Sequence, residues 1–149
     1  MALARDTHVV VAAIVERDGR FLFVEERVEG ELKLNQPAGH WDQGESLLHA
    51  VCREALEESA WDVEPEALLG TYAFDAPELG YGFLRFAFIC KPLRHHPHRA
   101  LDSGIERAVW LTREELAARR IQHRGPAVLR CVDDYLAGNR YPLELVRQL

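Results

Sequence analysis

The chain has 149 residues, of which 48% are hydrophobic and 28% charged, and its formal net charge is −6. This length and composition fit one folded domain over residues 1–149 and exclude a disordered chain. The negative charge argues against a nucleic-acid polymer as partner, because such binding needs a basic face. It leaves a small anionic substrate open, because a bound cation can reverse the local field.

The cysteines and the N-terminal region indicate a cellular compartment. Cys52, Cys90 and Cys131 form no CxxC pair and each has apolar neighbours, which is typical of buried thiols in a reducing compartment. The apolar run from Val9 to Val15 is too short to span a membrane, and its flanks are not those of a signal peptide. We therefore expect a cytoplasmic protein that does not bind a membrane.

The first predicted elements form a hairpin. "HVVVAAIV", starting at His8, is a short valine-rich run typical of a buried strand. Asp18 and Gly19 predict a tight turn, and "RFLFVEE" follows as the partner strand. From Arg27 to Gly44 the chain is polar and rich in turn residues, so we predict a loop long enough to carry function.

The segment from Glu45 to about Ser59 is predicted to be a helix, because apolar residues recur on one face. That face consists of Leu47, Leu48, Val51, Cys52 and Ala55. Further strands are predicted over residues 68–74, in "FLRFAFIC" and in "RAVWL".

The C-terminal part is predicted to be helical. Thr112 and Glu115 form the spacing of a capping box that starts a short helix. A last helix is predicted to start at Pro126 and to stop at Gly138. Its predicted core face consists of Val128, Leu129, Val132, Tyr135 and Leu136. The order of elements predicts an α/β fold with a mixed β-sheet flanked by helices.

Three carboxylates crowd the end of the first predicted helix. Glu54, Glu57 and Glu58 are three and four residues apart and can converge on one side of that helix. An oxygen-rich cluster without histidine or thiol suits a hard cation such as Mg²⁺. The alternative is a solvated helix face, since charged residues are common on surfaces.

The spacing around these carboxylates distinguishes the two interpretations. The pattern G-x5-E-x7-R-E-x2-E-E, which begins at Gly39, reproduces the Nudix box. The sequence therefore resembles the Nudix hydrolases. The resemblance implies an α/β/α sandwich and hydrolysis of nucleoside diphosphates linked to another moiety, or of related pyrophosphates, with Mg²⁺ or Mn²⁺. The sequence departs from the box at its end, where Ala60 and Trp61 replace a glycine and an aliphatic residue.

The resemblance also implies roles for individual residues. Glu57 and Glu58 correspond to metal ligands, and Glu54 to a ligand or to the base that deprotonates the attacking water. Arg53 would orient Glu54 through a charge-assisted hydrogen bond. Glu45 would be a residue of the helix start.

Further metal bonds are implied outside the helix. The backbone carbonyl of Ala38 commonly supplies one in this family. Many relatives add a carboxylate from a loop, for which Glu106 is our candidate and Asp102 the alternative.

Substrate contacts are expected from residues near these ligands. We assign the leaving group to a polar and aromatic set and the phosphates to basic residues, although loop packing and solvation are the alternatives. The first set is Gln36, His40 and Trp41, and the second is Arg27, Lys33 and Arg85.

The segments "NQPAGH", "LRFAF", "SGIERAVWL" and "DDYLAGNRYPLE" are similar to one branch of bacterial phosphatases in this family. That similarity implies hydroxymethylpyrimidine pyrophosphate, thiamine pyrophosphate or nucleoside di- and triphosphates as substrates. The alternatives are an enzyme specific for ADP-ribose-type or dinucleoside polyphosphate substrates, and a non-catalytic regulatory domain that binds nucleotides. We expect a monomer or a homodimer with a small phosphorylated substrate.

Overall fold

The structure is a computed structural model that describes residues 6–149. The expectation that the chain begins without a signal peptide therefore falls partly outside the described residues. In chain order the elements are β1 (Thr7–Arg17), β2 (Arg20–Val28), β3 (Glu31–Asn35), β4 (Ala38–His40), α1 (Leu47–Ser59), β5 (Trp61–Ala76), β6 (Tyr81–His95), β7 (Ile105–Leu111), α2 (Arg113–Ala118) and α3 (Ala127–Leu136). Short 3₁₀ turns lie at Arg120–Gln122 and Leu143–Leu145.

The strands form a mixed β-sheet. Its order is β3-β2-β1-β6-β5, with β4 paired to β1 and β7 paired to β2. The β1–β6 pair is parallel and the other strand pairs are antiparallel. Because β1 pairs with β4, β6 and β2, it connects the two parts of the sheet.

Helices cover both faces of this sheet. Successive side chains of a strand point to opposite faces, so Val11 and Ala13 of β1 pack on α1, whereas Ala12 and Ile14 pack in a cluster with α2 and α3. The α/β/α sandwich predicted from the sequence is therefore confirmed.

The predicted turn at Asp18 and Gly19 is confirmed, with φ angles of 53° and 81°. Glu29 and Gly30 repeat this geometry, with φ angles of 51° and 82°, and join β2 to β3. The prediction of a continuous loop from residue 27 to residue 44 was wrong, because β3 and β4 lie within it. The polar side chains of β3, most of which remain accessible to solvent, hide the hydrophobic pattern from which a strand is predicted.

The first predicted helix is confirmed as α1. Ser46 caps it by accepting a hydrogen bond from the N–H of His49 at 3.0 Å. The helix ends at Ser59, and Ala60 adopts the left-handed conformation with φ 62° while its N–H donates to the Leu56 carbonyl at 2.9 Å. An alanine thus occupies a conformation that glycine adopts at lower cost.

The C-terminal predictions are mostly confirmed. The capping box of Thr112 and Glu115 starts α2, and Val128 and Val132 of α3 are buried. The prediction for Leu136 was wrong, since it is the last residue of α3 and is 58% exposed; the buried Cys131 belongs to the core face instead. In the part of the chain that the structure describes, no helix is long and apolar enough to cross a membrane.

The strands β5 and β6 are longer than predicted. Register shifts around Pro65 and before Gly70 interrupt the alternation of side chains in β5. A strand with such bulges loses the two-residue period on which a sequence-based prediction depends.

Candidate active site

The site forms where α1 meets β4. Gly39 of β4 lies directly against the carboxylate of Glu54 on α1. A Cβ atom added to Gly39 would lie 2.1 Å from the Cδ of Glu54. Contact this close is possible only because residue 39 has no side chain, so Gly39 permits the approach of the helix carboxylate to the strand.

Arg53 lies among the carboxylates and compensates their mutual repulsion. Its Nη1 donates to Glu54 at 2.9 Å and to Glu57 at 3.2 Å, and its Nη2 donates to Glu45 at 2.6 Å. The hydrogen bond from Arg53 lowers the pKa of Glu45 to about 2, although burial opposes this shift. The Nη2 group also donates to the carbonyl oxygen of His40 at 3.1 Å, which ties α1 to β4.

Two carboxylates of α1 have raised pKa values. Burial raises the pKa of Glu54 to about 7, and the hydrogen bond from Arg53 opposes the shift. Burial also raises the pKa of Glu58 to about 8, although Glu58 accepts a hydrogen bond from the Ala38 N–H at 2.9 Å. Desolvation of a carboxylate disfavours its charged form unless a cation compensates.

A cluster of three carboxylates, those of Glu54, Glu57 and Asp102, is able to hold such a cation. Their nearest oxygens all lie within 4.8 Å of one another. Asp102 is fixed beside α1 because its backbone N–H donates to the carbonyl oxygen of Glu57 at 3.0 Å. The donor set consists of carboxylate oxygens, which fits a hard divalent cation such as Mg²⁺.

The other predicted loop carboxylate has a different partner. Glu106 accepts a hydrogen bond from the Nε of Arg27 at 2.9 Å, and both side chains are about half exposed. The structure thus brings Asp102, the alternative of the sequence analysis, to the helix carboxylates and does not bring Glu106 there. Glu58 lies outside the three-carboxylate cluster, with one oxygen engaged by Ala38.

A cavity of about 390 Å³ opens beside these residues. Glu54 and Glu58 line it together with Ala38 and His40, so the acidic site and the cavity are continuous. Besides the carboxylates of Glu26, Asp75 and Glu78, the remaining lining consists mainly of apolar and aromatic side chains of β1, β5 and β6 and of the first turn of α3. These include Val10, Phe74, Tyr81, Phe83, Ala127 and Val128.

The predicted substrate residues separate into two groups. His40 and Arg85 line the cavity, and Gln36 is buried next to Arg85. Trp41 does not line it and instead donates from Nε1 to the Glu45 carbonyl oxygen at 2.6 Å.

Two basic residues also lie apart from the cavity. Arg27 pairs with Glu106, as described above, and Lys33 pairs with Glu31 at 3.2 Å. These contacts give both side chains a structural partner on the surface of the sheet.

The sequence analysis missed several residues of the cavity wall. Asn35, Phe74 and Arg124 come from separate elements and carry no local motif. Only the packing of α3 over β5 and β6 brings them together. Their residue types alone contain no signal that would have identified them.

The site and fold agree with the comparisons with known proteins. A family model, the NUDIX domain, matches residues 5–131. The chain therefore belongs to the Nudix hydrolases, enzymes that act on phosphoric anhydride bonds.

Individual relatives support this membership. Phosphatase NudJ of Escherichia coli (strain K12) is 36% identical over 139 residues, which cover 93% of this chain and 90% of that protein. A NUDIX hydrolase from Nitrosomonas europaea is 43% identical, with a TM-score of 0.94 over 97% of this chain and 98% of the other. An ADP-ribose pyrophosphatase from Streptococcus suis, 15% identical with a TM-score of 0.68 over 90% of this chain and 95% of its own, shares the fold.

Proposed function

We propose that this chain, as one domain of residues 1–149, is a pyrophosphohydrolase that requires Mg²⁺ or Mn²⁺. The observation that carries the proposal is the cluster of Glu54, Glu57 and Asp102, whose carboxylate oxygens lie within 4.8 Å of one another beside a ligand-sized cavity. A divalent cation held there would polarise a phosphoryl oxygen and lower the pKa of a bound water.

The residues of α1 have distinct roles in this proposal. Glu57 would bind the cation together with Asp102 and Glu58, and the Ala38 carbonyl would be a further ligand. Glu54 is either a ligand or the base: its Oε1 accepts from Arg53, which leaves Oε2 to receive a proton from the attacking water. A pKa near 7 suits a general base.

Arg53 orients this set of carboxylates. It holds Glu54 and Glu57 from one nitrogen and Glu45 from the other two. The hydrogen bond to Glu45 raises the pKa of Arg53 above its usual value. The Arg53 guanidinium therefore stays positively charged at any physiological pH. Glu45 therefore influences the site by holding Arg53 and does not contact the substrate itself.

The cavity supports small substrates. Its volume of about 390 Å³ lies near the lower end of ligand sites, which measure roughly 300–1,000 Å³. We infer that it receives the organic group of hydroxymethylpyrimidine pyrophosphate, thiamine pyrophosphate or a nucleoside di- or triphosphate. His40 and Arg85 contact that group from the cavity wall, whereas Gln36 supports Arg85.

The composition of the chain supports a cellular compartment and a class of partner. We infer a cytoplasmic monomer or homodimer that acts on a small phosphorylated substrate, since free thiols and a net charge of −6 suit a reducing compartment without nucleic-acid binding. Sedimentation of the purified chain with and without substrate tests the oligomeric state.

The experiment that tests the function is a comparison of kcat/KM with Mg²⁺. The panel contains the two thiamine-pathway pyrophosphates, ADP, ATP, ADP-ribose and a dinucleoside polyphosphate. We expect phosphate or pyrophosphate release that disappears with excess EDTA, and fastest turnover of the thiamine-pathway compounds. A preference of two orders of magnitude for ADP-ribose or the dinucleoside compound would contradict the substrate proposal, and full turnover in EDTA would contradict the metal requirement.

The variant Glu58→Gln tests the role of the helix carboxylates. Glutamine keeps the shape and can still accept from the Ala38 N–H, but it lacks the negative charge. We expect kcat to fall at least about 10²-fold with an unchanged circular dichroism spectrum. Glu64→Gln, on an exposed position of β5, is the matched control and should keep full activity.

A further inference from the structure

Arg85 of β6 is a buried arginine in the wall of the cavity. It is 4% exposed and lines the cavity together with residues of β3 and β4. Its Nη1 donates to the Gln36 side-chain oxygen at 2.9 Å and contacts the Cys131 sulfur at 3.9 Å, and its Nη2 donates to the Asn35 side-chain oxygen at 2.8 Å. These three partners are all neutral.

The charge of Arg85 forms no ion pair with a carboxylate of the described residues. Within residues 6–149, the ion pairs include none that involves Arg85, and its buried Nε–H donates to no acceptor. By contrast, Arg124, which also lines the cavity, pairs with Glu26 at 2.7 Å. An arginine stays protonated in proteins, and a buried charge without a partner is costly. A ligand in the cavity would relieve that cost.

The position of Arg85 is fixed by its neighbours. In the sheet it is in register with Tyr72 of β5 on one side and with Val10 of β1 on the other. Gln36 accepts from Arg85 and donates to the Val128 carbonyl oxygen of α3 at 2.8 Å. The guanidinium is therefore held in place before any ligand arrives, which gives it directional selectivity.

The rest of the cavity indicates which part of a substrate meets Arg85. Glu54 and Glu58 line the cavity as well. The phosphates of a substrate would bind beside these carboxylates only through a divalent cation, so they would occupy that end of the cavity and leave the ring to Arg85. The same cavity wall also contains the aromatic rings of Phe74 and Phe83, stacked at 5.3 Å between ring centroids. Such walls suit a planar ring, and Arg85 then meets an acceptor on the edge of that ring.

We propose that Arg85 is the specificity-determining residue for the organic group of the substrate. It selects a planar heterocyclic ring whose edge presents a hydrogen-bond acceptor towards the guanidinium, and among purines, which share one ring shape, it prefers a carbonyl oxygen to an amino group at the six-position. The inference rests on the proposed function, because it assumes that the phosphates bind at the carboxylates.

The test compares inosine diphosphate with ADP, which differ at the six-position of the purine and in the protonation of the neighbouring ring nitrogen. Inosine diphosphate has a carbonyl oxygen beside a ring N–H, where ADP has an amino group beside an unprotonated ring nitrogen. We expect the wild type to show a kcat/KM at least about tenfold higher for inosine diphosphate, the scale of one hydrogen bond to a charged group. In Arg85→Gln the ratio should fall to about one, since an amide can donate or accept.

Controls separate selectivity from folding and from phosphate binding. The ratio of two substrates does not depend on the fraction of folded enzyme. Arg124→Gln changes a cavity arginine that already has a carboxylate partner, so its ratio should equal that of the wild type. Arg85→Lys keeps a cationic donor, so inosine diphosphate should remain the preferred nucleotide. This variant provides the test if Arg85→Gln does not fold. Methyl diphosphate has the same anhydride without a ring and should be hydrolysed equally by wild type and Arg85→Gln.

Each contrary result has a definite meaning. Equal wild-type kcat/KM for the two nucleotides would overturn the inference while the hydrolase proposal stands. A parallel loss for methyl diphosphate in Arg85→Gln would assign Arg85 to the phosphates and would overturn it as well. If the wild type hydrolysed none of the three compounds with Mg²⁺, the proposed function would fail. The ratio of the two nucleotide dissociation constants, measured by calorimetry with Ca²⁺, would then decide the role of Arg85.

Discussion

The backbone N–H of Asp102 donates to the carbonyl oxygen of Glu57 at 3.0 Å, and the carboxylates of the same two residues belong to one cluster with Glu54. A loop residue is thereby fixed to the C-terminal half of α1. This contact distinguishes Asp102 from Glu106, which pairs with Arg27 on the surface of the sheet.

The first prediction separates these two loop carboxylates. Asp102→Asn should lower kcat at least about tenfold, because it removes a charged oxygen from the cluster while preserving the backbone hydrogen bond. Glu106→Gln should stay within about twofold, since an exposed ion pair contributes little. Steady-state kinetics at saturating Mg²⁺ measures both. A larger loss of kcat in Glu106→Gln than in Asp102→Asn would indicate that Glu106 is the metal ligand.

The second prediction concerns the contact between Gly39 and Glu54. Gly39→Ala places a methyl group 2.1 Å from the Glu54 Cδ, so either the helix carboxylate or β4 must shift. We expect kcat to fall about 10²-fold, the scale of a small misplacement at a reacting centre. Gly125→Ala is the control, because a Cβ added at Gly125 would lie 3.8 Å from an aromatic carbon of Phe74, an ordinary contact distance. Normal activity of Gly39→Ala would show that Glu54 acts without a fixed position.

The third prediction concerns metal and stability. Mg²⁺ should raise the melting temperature, because a cation that binds the folded chain shifts unfolding by mass action, by about 2.7 kcal/mol at 100 times its dissociation constant. EDTA should reverse the shift. In Glu57→Gln the shift should shrink, which calorimetry at matched Mg²⁺ concentrations measures. An equal shift in that variant would place the cation elsewhere.

The fourth prediction uses a buried carboxylate outside the active site. Glu25 is 1% exposed and accepts hydrogen bonds from Arg107 and Arg119. Burial opposes the charged form, but the two arginines outweigh burial and lower the pKa of Glu25 below its usual 4.5. The stabilisation is therefore complete above about pH 4.5 and is lost as pH falls through the folded-state pKa.

The variant Glu25→Gln tests this pH dependence. It should lower the free energy of unfolding at pH 7 by about 2–3 kcal/mol, since hydrogen bonds between charged groups are lost. The difference from the wild type should narrow below pH 4.5, where the Glu25 carboxyl becomes protonated first in the unfolded state and, at lower pH, in the folded state. Denaturant titrations at pH 7 and pH 3.5 measure both values, and a constant difference would contradict the assignment.

The fifth prediction concerns the hairpin between β2 and β3. Glu29 is exposed and has a φ angle of 51°, a conformation that asparagine adopts at lower cost in such turns. Glu29→Asn should raise the free energy of unfolding by about 0.5–1 kcal/mol. Asp18→Asn, in the equivalent turn, should change it less, because aspartate already tolerates this conformation. A decrease in Glu29→Asn would indicate a stabilising contact of the glutamate side chain.

The sequence by itself determined the helical part of the site. The positions of Arg53, Glu54, Glu57 and Glu58 depend on the 3.6-residue period of one helix, so local spacing is sufficient to place them near one another. The predicted strands and capping residues also rest on local patterns, and the structure confirms the elements while extending β5 and β6.

The tertiary structure decided which distant residues join this helix. Asp102 rather than Glu106 reaches α1 because the loop before β7 donates a backbone hydrogen bond to it, a contact that no local spacing encodes. Arg85 acquires its buried, uncompensated position from pairing between strands and from the packing of α3. Burial likewise raises the pKa of Glu58, and burial depends on the whole fold. Contacts across long sequence separation therefore completed the site that the helix periodicity had begun.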